Sequence, residues 1–171
     1  MNTEIRKDDT IKMALLEMGF PFSDADNKEA EEVKTASFLF DTALITLLID
    51  ECFTMNIRKV EAVLTDRKVY LGKFEYVKPK DFLCALTPGV EERKGNLYTF
   101  KSNLELEYKE KMDVKDIPIE YQRYLSLILA KLCCSSFGKV KSLNRILLGI
   151  EEERARLVPL TSYDILMEDL V

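Results

Sequence analysis

The chain has 171 residues, 47% of them apolar and 32% charged, with a net charge of −5 and a pI near 5.0. A chain of this length can bury about two thirds of its unfolded surface without disulfides or metal. The acidic balance argues against duplex binding, which calls for a basic stripe, and the lack of any histidine removes the commonest general base and metal ligand.

The four cysteines, Cys52, Cys84, Cys133 and Cys134, form no C-x-x-C pair. They read as small apolar core residues in a reducing cytoplasm, not as a zinc or disulfide framework. Cys133 and Cys134 adjoin on a helix and so point about 100° apart, which argues against a redox pair. No G-x-x-x-x-G-K-[ST], G-x-G-x-x-G or G-x-S-x-G stretch occurs. The acidic runs Glu29, Glu31, Glu32 and Glu151, Glu152, Glu153 read as solvated helix faces. No enzyme activity and no cofactor are expected.

In chain order, residues 1–10 are polar and lack the apolar core of a signal peptide. The longest apolar run, Ala43 to Ile49, is too short to cross a bilayer, so no membrane association is expected. A first helix is predicted over residues 8–18, with Ile11, Leu15 and Met18 on one face. Asp8 or Asp9 would cap its start, Gly19 its end, and Pro21 would bar continuation. A second and longest helix is predicted over residues 26–51, with Ala30, Val33, Ser37, Phe40, Leu44, Leu47 and Leu48 as its stripe. Its half from Phe38 to Ile49 is apolar almost all round, as in a helix enclosed by neighbours.

The period then changes. Leu104, Leu106 and Tyr108 alternate with Glu105, Glu107 and Lys109, the pattern of a half-exposed antiparallel strand. Tyr70, Phe74 and Tyr76 share a parity, Gly72 reads as a bulge or close approach, and residues 94–96 and 101–103 carry turn signals. A β insert is therefore expected over residues 55–111, within one domain spanning 1–171.

A third helix is predicted over residues 118–137, opened by Pro118 with Asp116 as cap and striped by Tyr121, Tyr124, Leu125, Ile128, Leu129 and Leu132. Gly138 interrupts. A fourth helix is predicted over residues 140–157, with Leu143, Leu147 and Ile150 on one face and Pro159 ending it. The fold class expected is α+β: a four-helix bundle with an antiparallel insert between helices 2 and 3, and an extended C-terminal tail over residues 158–171.

Two features look outward. In the fourth helix Lys139, Lys141 and Arg145 precede Glu151, Glu152 and Glu153, the reverse of what the helix dipole favours. Either this is a solvated face, or the basic end of one subunit meets the acidic end of the next, closing a ring. The tail residues Leu160, Tyr163, Ile165, Leu166, Met167 and Leu170 are too apolar for a free disordered end. The tail either folds back on its own domain or docks on a partner, for which an added strand is one mode.

The chain resembles the head-to-tail adaptor, or tail tubular, proteins of short-tailed bacteriophages. Three stretches carry the resemblance: IKMALLEMGFPF from Ile11, DECFTMNI from Asp50, where Phe53 stands in the place the family most often gives to tryptophan, and IPIEYQRY from Ile117 running on to Phe137. The segments YVKPKDFL from Tyr76, LYTF from Leu97 and LELEY from Leu104 fit the family's middle. The helix after Pro118 has fewer alanines than the family pattern, and the tail departs from it.

The resemblance implies a non-catalytic virion protein, made in the host bacterial cytoplasm and placed in the neck of the particle. It implies a homo-dodecameric ring that docks under the portal protein and joins it to a tail nozzle or other tail protein. DNA would pass through the channel without specific binding, which an acidic lumen suits. The tail residues named above would reach the portal. The alternative is a cytosolic helical module that binds or regulates another protein.

Overall fold

A computed structural model describes residues 5–65 and 71–168, the side chains of residues 159–168 excepted. The fold is mixed α+β, with five α-helices and two small antiparallel sheets. Where one domain is expected from the sequence, the chain divides into two compact units, residues 1–53 with 113–171 and residues 54–112.

The first unit is helical. Helix α1 spans Lys7–Glu17 and closes at Gly19, whose φ of +84° suits a residue without Cβ. The Phe20 N–H then donates to the Leu15 carbonyl at 3.1 Å, the bond that seals such an end. No side-chain cap bond starts α1; Asp8 is instead in an ion pair with Lys28 at 2.5 Å.

The continuous helix expected over residues 26–51 is broken. A short α2, Phe22–Asp26, precedes α3, Glu31–Ile49. Between them Asn27 is extended, and its Oδ1 accepts the Glu29 N–H at 3.1 Å. An asparagine side chain that bonds its own backbone offers the chain a turn in place of a helix.

Helix α4, Gln122–Ser136, follows two 3-10 turns at Val114–Asp116 and Ile119–Tyr121. Every residue from Tyr124 to Ala130 is buried, polar Ser126 included. Helices α1, α3 and α5 all pack on α4, so α4 is the enclosed helix of the unit. Gly138, with φ +63°, ends the run, and the Lys139 N–H donates back to the Cys134 carbonyl at 3.0 Å.

Helix α5 spans Val140–Glu168, about 43 Å of helix. The expected stop at Pro159 and the extended tail are thereby corrected. A proline fixes φ near the helical value and lacks one donor, so inside a helix it carries a cost without dictating an end. The buried stripe of α5 is Ile146, Ile150, Glu153 and Leu157; of the expected face, Ile150 is in it and Leu143 and Leu147 are not. Leu147 faces outward while Leu143 is half-buried.

Among the described residues the second unit holds six strands: β1 Ile57–Glu61, β2 Phe74–Val77, β3 Phe82–Ala85, β4 Glu91–Arg93, β5 Asn96–Thr99 and β6 Glu105–Glu110. They form two three-stranded sheets, ordered β1-β6-β3 and β2-β5-β4. The β4–β5 hairpin turns through Lys94 at φ +48° and Gly95 at φ +82°, the two positive values that match strand twist. Gly72 enters β2 with φ +81°, and the irregular register falls between Phe82 and Cys84 instead. Tyr70 lies outside the described residues.

Leu104, Leu106 and Tyr108 point into the small core with Tyr76 and Leu97. Lys109 breaks the expected alternation, because it too is buried. It sits mid-sheet, opposite Ile57 on one side and Cys84 on the other.

Candidate assembly surface

Three sequence-distant stretches meet in the helical unit. Phe53 is fully buried and stands edge-on to Tyr121 and Tyr124, ring centroids at 5.1 and 5.2 Å. Such T-shaped contacts add specificity to the area they bury. Just upstream, Asp50 closes the C-terminus of α3. Its carboxylate accepts the Cys52 N–H at 3.0 Å, the Tyr124 hydroxyl at 2.8 Å and the Arg154 guanidinium at 2.8 Å.

One carboxylate thus ties α3, α4 and α5 together. Burial pushes the Asp50 carboxyl upward, but the Cys52, Tyr124 and Arg154 donors outweigh it and hold the pKa below the usual carboxylate value. Burial, and then the bond to Asp50, raise the Tyr124 phenol well above its ordinary range. Among the described residues the Arg154 Nε is buried without a hydrogen-bond partner, and the bond to Asp50 runs from Nη2. The arrangement is a helix lock: each donor is spent on one acid, and the acid is kept ionised.

At the other end of the unit, Phe20 stands edge-on to Phe137 at 5.5 Å, and the Lys139 ammonium lies 4.4 Å from the Phe20 ring. Arg145 donates to the Glu17 carbonyl, and the Ser142 hydroxyl donates to the Met18 carbonyl at 3.2 Å. These contacts anchor the start of α5 to the end of α1.

The six charged residues singled out on α5 therefore divide. Lys141, Glu151 and Glu152 are exposed. Lys139 and Arg145 are engaged with α1 and the chain following it. Glu153 is corrected outright: it is buried and paired to Arg123 at 3.1 Å and Arg156 at 2.6 Å within its own chain. Its place on the packed stripe of α5, four turns' reach from either helix end, is what removes it from the surface. The side chains of Leu160, Tyr163, Ile165, Leu166 and Met167, and all of Leu170, lie outside the described residues.

The sequence reading missed an exposed apolar face. On α3, Phe38 is 84% exposed, and Ile45 and Ile49 are also open to solvent. On α5, Leu148 is 61% exposed, with Val140 and Leu147 beside it. The signal was present in the all-round apolarity of α3, but it was assigned to enclosure. Cys133 and Cys134 are buried, and burial raises the Cys133 thiol to about 12, which leaves it inert as a nucleophile.

In the strand unit a groove of about 460 Å³ runs beside β6, lined by Lys59, Val60, Thr87, Pro88, Glu105 and Glu107. Among the described residues no group of three or more acidic or cysteine side chains is placed to hold a metal ion. No helix of the described residues is long and apolar enough to cross a membrane.

Comparison of the chain with known protein families and with curated proteins finds no match.

Proposed function

We propose that this chain is a structural subunit of a bacteriophage neck, a head-to-tail adaptor that docks as a ring under the portal protein, joins it to the tail and extends the DNA channel. In this reading α1, α3, α4 and α5 act as a four-helix bundle, and the β insert is carried between α3 and α4. The subunit performs no chemistry, and its flanks do the work. Its place is the virion, after synthesis in the bacterial cytoplasm.

The observation that carries the reading is the convergence of two of the stretches on which the resemblance rests. Phe53, standing where the family most often has tryptophan, packs between Tyr121 and Tyr124 of the IPIEYQRY stretch. Asp50 of the DECF stretch bonds Tyr124. Residues scattered over the sequence resemble the family in order, and they meet in one packed junction of the helical unit.

The exposed face of α3 favours a second reading, a cytosolic helical module that binds another protein. Electron microscopy of the full chain mixed with the portal of its own virus separates the two. The adaptor reading expects a ring, about twelve subunits by the family resemblance, seated on one face of the portal. Portal particles that stay bare in saturating chain would sink it. Truncation after Pro159 is expected to abolish that docking while leaving the helical CD signal of the body intact.

A further inference from the structure

The exposed positions of α3 and α5 share one spacing. On α3, Phe38, Thr42, Ile45 and Ile49 are exposed, at offsets of 0, 4, 7 and 11. On α5, Val140, Asn144, Leu147 and Glu151 are exposed at the same offsets. Each set is a narrow stripe along one helix face, the pattern of a helix–helix seam. Leu148 widens the α5 stripe on one side.

The charges give the stripes a direction. On α3, Glu31 and Asp41 are exposed and have no ion-pair partner among the described residues. Asp41 flanks the N-terminal half of the stripe, and Glu31 lies about two turns ahead of it. On α5 the exposed bases Lys141 and Arg145 lie beside the first half of the stripe, and the acids Glu151 and Glu152 come after the leucines. A parallel pairing that sets Ile45 against Leu147 places Asp41 of α3 between Lys141 and Arg145 of α5. An antiparallel pairing would bring Asp41 toward Glu151 and Glu152, a like-charge approach.

From this charge and spacing match we infer that the outer face of α3 is the docking surface for the outer face of α5 on a second copy of this chain. The contact is heterologous: each copy offers one α3 face and one α5 face, so copies add head to tail. Leu147, Lys141 and Arg145 then work together, and the acid they meet is Asp41 of the neighbour, not Glu153. The inference deepens the adaptor reading, and its meaning for the particle rests on that reading.

Sedimentation velocity of the full chain tests it. The wild-type sedimentation coefficient is expected to rise with concentration. Phe38→Asp and Leu148→Asp, both at exposed positions that leave the fold intact by CD, each weaken association roughly thirtyfold or more. Mixed in equal amounts, the two variants form a one-to-one dimer and stop, because one supplies an intact α5 face and the other an intact α3 face. Asp41→Lys weakens association, and adding Lys141→Asp to the same chain restores it.

A wild-type chain that stays monomeric up to about millimolar concentration overturns the inference. So does association that survives Phe38→Asp, which would mean an α5–α5 pair, or a variant mixture that stays monomeric. The portal experiment is independent. Rings on the portal with no α3–α5 association would remove this contact alone, and association without portal docking would remove the adaptor reading alone.

Discussion

In the helical unit, Tyr121 and Tyr124 stand edge-on around Phe53, and the helices bury a continuous apolar surface around α4. In the strand unit, Tyr76 and Tyr108 are buried in a far smaller core, and their hydroxyls donate to the Lys101 carbonyl at 2.9 Å and to Asp81 at 3.0 Å. Tyr98 likewise donates to buried Glu75 at 2.9 Å. Two three-stranded sheets have little apolar area to bury, so phenols that add a hydrogen bond to a ring contribute more there. Helices around a central helix have area to spare and use the ring edges for geometry. The helical unit adds one polar lock, Asp50 with Tyr124 and Arg154, to extensive packing, and the strand unit ties three phenols, Tyr76, Tyr98 and Tyr108, to oxygen acceptors around a small core.

The most damaging way to probe this contrast is Phe53→Ala. Removing a fully buried ring between two others is expected to cost about 4 kcal/mol in urea unfolding, with the helical CD signal lost at lower denaturant. A loss under about 1 kcal/mol would mean that the aromatic junction does not organise the helices. Leu97→Ala in the strand core is expected to cost about 3 kcal/mol. Its signature is local: amides of β2, β5 and β4 exchange faster while those of α4 keep their protection. Equal acceleration in both units would show that they open as one body.

A smaller effect, about 2 kcal/mol, is expected for Asp50→Asn, which weakens the bonds to Tyr124 and Arg154 without opening a cavity. This one depends on pH. The folded pKa of Asp50 lies below its unfolded value of about 3.9, so its contribution is complete above that value and is lost as the pH falls through the lower, folded one. Wild type and variant should therefore converge in stability as a titration runs below about pH 4. A gap that stays constant to lower pH would show that ionisation of Asp50 plays no part.

Much of the local structure is legible in the sequence. Gly19 and Gly138 close their helices with positive φ, Lys94 and Gly95 make the hairpin turn, and Leu104, Leu106 and Tyr108 alternate inward. Each depends on a few neighbouring residues and on backbone sterics. The assembly surface was only half legible. Lys141, Glu151 and Glu152 are exposed as their charge suggests, but Glu153 is buried among Arg123 and Arg156, and the exposed apolar stripe of α3 reads as core in the sequence.

What the sequence by itself determined is therefore the set of elements and most of their ends. What only the tertiary structure decided is which face of each element turns inward. Phe38 to Ile49 is the more uniformly apolar run, yet α4 is the helix enclosed on all sides. Leu147 and Ile146 are neighbours of equal hydrophobicity, yet only Ile146 is buried. Lys109 is charged and lies in the middle of a sheet. A helical period tolerates several stripes, and burial is non-directional, proportional to the area removed from water whichever side removes it. The choice among faces falls to the partners that pack, and those partners come from distant parts of the chain.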